Sequence, residues 1–274
     1  MRAARNHDSA GFSQIEAENL ILVNVPERYA NWLSEHEHVD RRFGHVYRYH
    51  SRSDAHSIAL CRFIMEDLVE HSRVLQTQIE SEQVIWDINV RFQFPRSHKA
   101  KTLDLAIGLP VAPGDTTGRS VSHEMGDVLV ACEAKSVMTE HGKSQPRIFD
   151  ELNSAHGIVH AGRPDAIAAG IAVVNIAETF ASPLRQTAGQ RDLLISRHSQ
   201  PEVTERMVRH LRGLPLRDDV GGVGFDAYAT IVINCDNLGP VTLWTSPPAP
   251  QPGDADHYGT FVQRIVRFYG ERFA

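Results

Sequence analysis

Thr102-Leu103-Asp104-Leu105-Ala106-Ile107-Gly108, then after a loop Val128-Leu129-Val130-Ala131-Cys132-Glu133-Ala134-Lys135, then a helical run from Ser144: the reading of this chain turns on that stretch. Side chains alternate faces along a β-strand. Thr102, Asp104 and Ala106 therefore share one side of the first segment, and Leu103, Leu105 and Ile107 the other. In the second segment the same period puts Leu129, Ala131, Glu133 and Lys135 on one face, so an apolar strand ends with an acid and an amine side by side. If the two strands are neighbours with polar faces matched, Asp104, Glu133 and Lys135 converge.

Two carboxylates held close repel and raise each other's pKa unless a cation lies between them. A hard divalent ion is the natural one. Magnesium takes oxygen ligands at about 2.0–2.1 Å and keeps several waters, so one or two carboxylates and a backbone carbonyl suffice. Ala134 lies where it can supply that carbonyl. Lys135 can stabilise charge on a scissile phosphate or position the attacking water.

Asp104, followed by Glu133-Ala134-Lys135 closing an apolar strand and then a helix, resembles the PD-(D/E)XK nuclease superfamily, to which many restriction endonucleases belong. The resemblance covers roughly residues 54–177 and departs from the pattern at Leu103, where the family has proline before the acid. It implies an α/β fold with a restriction endonuclease-like core, a mixed central sheet flanked by helices in the order helix, three-strand meander, helix, strand. Residues 1–53 would form an N-terminal extension, 54–180 the catalytic core, and 181–274 a C-terminal extension of strands and helices packed on it. Asp104, Glu133 and Ala134 would hold Mg2+, with Mn2+ as a substitute, and Lys135 would assist catalysis. Lys143, Gln145 and Arg147, after the Glu-x-Lys strand, would contact substrate. DNA is the expected substrate and a homodimer the expected assembly, since two-fold duplex symmetry matches a two-fold protein. Two other readings stay open: a nuclease-fold module that binds nucleic acid or assembles without catalysis, and an unrelated α/β enzyme in which the triad is accidental.

The 274 residues are 42% hydrophobic, ample for a sizeable core. The formal charge of −6 and pI near 6.2 do not mark a general nucleic-acid binder, but a cleft needs only local positive charge and a bound metal. Cys61, Cys132 and Cys235 lie far apart in apolar runs and read as buried free thiols of a reducing compartment. Alternation turns Cys132 away from the face carrying Glu133. No apolar h-region follows Arg2 and Arg5, and no window approaches a membrane span, which places the protein in the cytoplasm.

Elsewhere an apolar run from Asn19 to Val25 stops at Pro26, and a short helix covers Glu27 to Ser34. His36, His38, His45, His50 and His56 follow; His-x-His can ligate a transition metal, and a solvated loop is the simpler reading. Helical spacing of Cys61, Ile64, Met65, Leu68 and Leu75 predicts a helix from Asp54 to about Gln78, with Glu66, Glu70 and Glu82 either surface acids or an extra metal ligand. Val84 to Phe94 alternates as a half-buried strand, its even-numbered apolar residues opposed by Asp87, Asn89, Arg91 and Gln93. Arg96, Lys99 and Lys101 make a basic turn, and Gly108 to Asp127 a long loop rich in glycine and proline. Ser144 is the expected N-cap of a helix with Pro146 in its first turn, an Ile148, Leu152, Ala155 stripe, and an end at Gly157. Ala166 to Ala177 reads as a strand buried on both faces, with a short buried helix as the competing reading. Beyond it come a helix over Pro201 to Leu211, a turn at Gly221 to Gly224, strands over Phe225 to Cys235 and Val241 to Thr245, a proline-rich linker from Pro247 to Pro252, and a helix over Tyr258 to Arg272 with an apolar and a basic face.

Overall fold

The computed structural model describes residues 25–40, 43–94, 100–111, 125–183 and 192–274. The 19–24 part of the first apolar run, Arg96 and Lys99 of the basic turn, and the 112–124 part of the long loop lie outside the described residues. In chain order the elements are α1 (Val25–Glu35), β1 (His38–Val39), β2 (Val46–Tyr47), α2 (Ala55–His71), α3 (Arg73–Glu80), β3 (Ile85–Phe92), β4 (Lys101–Pro110), β5 (Met125–Val137), α4 (His141–Gly162), β6 (Ile167–Asn175), β7 (Thr179–Ala181), β8 (Ile195–Arg197), α5 (Glu202–Leu211), β9 (Ala227–Asn234), β10 (Thr242–Leu243) and α6 (Tyr258–Phe273).

A mixed six-stranded sheet, ordered β10-β9-β6-β5-β4-β3, forms the middle layer. β3, β4 and β5 make an antiparallel meander; β5, β6 and β9 run parallel. One face packs on α1, α2, α3 and α6 through residues such as Leu33, Cys61, Ile64, Leu75, Phe261 and Ile265. The other packs on α4 and α5 through Ile148, Leu152, Val159, Met207 and Leu211. Helices on both faces bury β6 completely. Gly170 is required at its centre: a Cβ there would come within 2.9 Å of the Phe225 ring. The C-terminal segment is built into this sheet, since β9 lies inside it and α6 covers β9.

Several expectations change. The helix predicted over 54–78 is broken at Ser72, whose extended backbone ends α2 and whose hydroxyl accepts from Leu75 N–H at 3.2 Å to start α3. α4 begins at His141, not Ser144, because the buried imidazole bonds the Asn175 carbonyl (Nε2···O 2.7 Å) and so ties the first turn to the end of β6. It runs past Gly157 to Gly162, since Val159 continues the buried stripe. The alternation of β3 and β4 is also interrupted. Ile88 and Leu105 pack on the α2 side, whereas Val90, Phe92 and Leu103 pack on the α4 side. The switch falls at two facing residues, Asn89, with a left-handed φ of 57°, and Asp104. Asn89 is a residue type that tolerates that conformation. On β5 a register shift opposite Ile107 and Gly108 puts Leu129 on the α2 side rather than with Ala131 and Glu133.

The three cysteines are buried free thiols, and Cys132 packs on the face away from Ala131. Among the described residues no helix is long and apolar enough to cross a membrane. The histidines of the His-x-His region stack on aromatic partners, His36 on Trp32 (4.6 Å) and His38 on His50 (4.2 Å), and no group of three metal-ligating side chains forms there or elsewhere among the described residues. α6 docks with Phe261, Ile265 and Phe268 buried, and its basic face bends back onto the protein. Arg264 donates to the carbonyls of Asp226 and Arg217, each at 2.7 Å, and Arg267 stacks over Phe268.

Candidate metal centre

The site forms where β4 and β5 part. Their backbone pairing runs as far as Leu105–Cys132 and stops. The next inward-facing donor of β5, Ala134 N–H, bonds the carboxylate of Asp104 instead (N···Oδ2 2.7 Å). A residue that exchanges bonds across an antiparallel pair points its N–H and C=O the same way. Ala134's carbonyl thus faces the same gap.

Glu133 stands beside that gap with 8% of its surface exposed. Each of its oxygens faces an ammonium: Lys135 Nζ lies 2.6 Å from Oε1 and Lys101 Nζ 2.9 Å from Oε2. Among the described residues Oε2 makes an ion pair with Lys101 and no hydrogen bond. Lys135 also lies 4.0 Å from Glu151 Oε2, and Glu151 accepts from Arg147 at 2.9 Å. A narrow cavity lined by Leu103, Ala131, Ala155, His156 and Phe225 backs Glu133, so the carboxylate has an apolar wall behind it.

The electrostatics follow from this geometry. Burial and then the Glu133 charge push the Asp104 carboxyl up to about 6, against the opposing pull of Ala134 N–H, Lys135 and Lys101. Burial would depress the Lys135 ammonium, but the Glu133 carboxylate outweighs it and holds the group above the usual lysine range. Lys135 is a fixed cation at neutral pH.

Asp104, Glu133, Ala134 and Lys135 are brought together. Of the three polar residues near the start of α4, Arg147 is linked to Lys135 through Glu151. Lys143 pairs with Glu140 (3.2 Å) and its side chain is 82% exposed; Gln145 is half-buried in the helix. The extra acids of α2 and the turn after α3, Glu66, Glu70 and Glu82, are exposed, and Glu66 pairs with Arg28. In the sequence Lys101 is one cation of a basic turn, with nothing to mark it as a partner of Glu133. Glu151 carries no mark of the site either, although the Arg147–Glu151 spacing of four on a helix is the signal that could find it.

One consequence is measurable without metal. Raising a carboxyl's pKa on folding means that the ionised form costs stability, a cost absent below about 4 and complete above about 6. Asp104→Asn keeps an acceptor for Ala134 N–H but no charge. In EDTA, its unfolding free energy relative to wild type is expected to rise by about 2–3 kcal/mol between pH 4 and pH 7.5. Urea titrations across that range test this; a flat difference contradicts it.

No protein-family model matches the chain, and no curated protein matches it.

Proposed function

We propose that this chain is a metal-dependent endonuclease of the PD-(D/E)XK, restriction endonuclease-like class, hydrolysing DNA phosphodiester bonds in a restriction or defence role and acting as a homodimer. The observation that carries this is the meeting of Asp104 with Glu133-Ala134-Lys135 at the point where β4 and β5 separate. The order α2/α3, β3-β4-β5 meander, α4, parallel β6 supports it, being the order that such a core has.

The donor set fits a hard cation. Asp104 and Glu133 offer carboxylate oxygen, one of them a buried oxygen without a hydrogen bond among the described residues, and the Ala134 carbonyl faces the same gap. These residues would hold Mg2+, or Mn2+ in its place. Bound there, the ion would polarise the scissile phosphate and make its water a stronger nucleophile. Lys135, an ammonium 2.6 Å from Glu133 Oε1, would stabilise phosphate charge or assist the attacking water. Glu151, on α4, lies 4.0 Å from the Lys135 ammonium, and Arg147, with Lys143 and Gln145 along the same helix, would meet the DNA backbone.

The test is cleavage of supercoiled plasmid, single-stranded DNA, modified phage DNA and RNA by wild type and Lys135→Ala, each with Mg2+, Mn2+ or EDTA. Metal-dependent DNA cutting is expected, reduced roughly 10²–10³-fold in Lys135→Ala, with Mn2+ binding retained. Cutting that survives EDTA, or is unchanged in the variant, removes the proposal. Metal binding with no cleavage of any substrate would point instead to a binding or assembly module.

A further inference from the structure

We infer that Lys101 is a built-in counter-ion of the candidate metal centre, an ammonium seated on Glu133 Oε2 that has to leave before a divalent cation enters. This rests on the metal reading above and concerns how the site is loaded.

The site as it stands is already neutral in charge. Asp104 and Glu133 contribute two carboxylates, and Lys101 and Lys135 two ammonium groups, one against each oxygen of Glu133. The two lysines are not equivalent. Lys135 lies two residues from Glu133 on the same strand and has a second carboxylate in reach, Glu151 on α4 at 4.0 Å. It keeps an anionic partner when Glu133 turns to a metal. Lys101 comes from the first residue of β4, three positions before Asp104, and faces the very oxygen that lacks a hydrogen bond. A cation shared by Asp104 and Glu133 would stand within a few ångströms of this ammonium, in a part-buried setting where like charges are weakly screened. Lys101 and the metal therefore exclude each other, and Lys101 sets the metal concentration at which the site fills. Its head group is carried on a long flexible stem at the first residue of β4.

Mn2+ titration of the full-length protein, read by electron paramagnetic resonance of the free ion, tests this without reference to cleavage. Lys101→Met is expected to bind Mn2+ at least tenfold more tightly than wild type. Lys101→Gln, which keeps a polar head and loses the charge, should shift in the same direction and covers the case in which the methionine variant does not fold. Arg91→Met removes the same charge from an exposed position opposite Thr102 on β3, and is expected to leave the affinity within twofold. Equal or weaker binding in both Lys101 variants, with wild type still binding, overturns the inference and leaves the metal reading intact. Equal tightening in Arg91→Met also overturns it, because the effect would then be a general one of net charge. No Mn2+ binding by any of the proteins overturns the inference and the metal reading together.

Discussion

Glu133→Gln is expected to abolish metal-dependent DNA cleavage, lowering the single-turnover rate by at least about a thousandfold, since several kcal/mol of transition-state stabilisation depend on a correctly held ion. The substitution keeps the shape of the side chain and removes the charge that both Lys101 and Lys135 face. Asp104 is then left as the carboxylate of a site carrying two ammonium groups, which repel a divalent cation. Stability should fall far less than activity. Breaking a fully buried ion pair costs about 3–5 kcal/mol, but both lysine side chains reach water in part, so about 1–3 kcal/mol is expected here. The measurements are cleavage rate, Mn2+ affinity and melting temperature on one preparation. Wild-type cleavage by folded Glu133→Gln would remove the proposed role of the site.

Asp226→Asn should produce the largest loss of stability. The Asp226 side chain has no exposed surface and binds Arg217 (Nε···Oδ1 3.0 Å), Arg272 (2.7 Å), His160 (3.0 Å) and the Ala168 N–H (2.8 Å). Arg217 also caps the carbonyls of Pro164 and Ala166. One carboxylate thus ties together α4, the start of β6, the segment before β9, and α6. Burial alone would raise its pKa, but His160, Arg217, the Ala168 N–H and Arg272 outweigh burial and hold the carboxyl down at about 2. An acid whose pKa is depressed on folding contributes stability above its unfolded value near 3.8, and that contribution is lost as pH falls through about 2. At pH 7 the variant leaves buried guanidinium groups without their anion, a cost of about 3–5 kcal/mol. In a chain of this size that lowers the melting temperature by roughly 6–20 °C. The gap from wild type should hold from pH 7 to about 4 and close only below. A gap that is small at pH 7, or that closes by pH 5, would show that the cluster does not hold the fold in this way.

Much of the architecture is legible in the chain itself, because short-range periodicity decides it. The continuous apolar run from Ala166 to Ala177, with its β-branched end, favours a strand covered on both faces over a short buried helix, and β6 (Ile167–Asn175) is that strand. The heptad-like stripes of α2, α4 and α6 and the position of Glu133 and Lys135 on a shared strand face follow from periods of 3.6 and 2. Asp104 near Glu133 follows once β4 and β5 are taken as antiparallel neighbours.

The remaining features depend on register between segments distant in the chain. The face switch at Asn89 and Asp104 needs two neighbouring strands to distort at the same level, and neither residue alone signals it. The end of β4–β5 pairing at Leu105–Cys132, which leaves Ala134 to the Asp104 carboxylate, is set by how far two strands stay in contact. Lys101 reads as one more cation of a basic turn until β4 lies beside β5 and its ammonium meets Glu133. The Asp226 cluster joins residues from 160 to 272, and β9 enters the sheet interior between β6 and β10. Local sequence determines which backbone pattern a segment adopts, because side chains a few residues apart compete for the same face. Charge partners are chosen by packing, because Coulomb attraction falls with distance in space and carries no memory of distance along the chain.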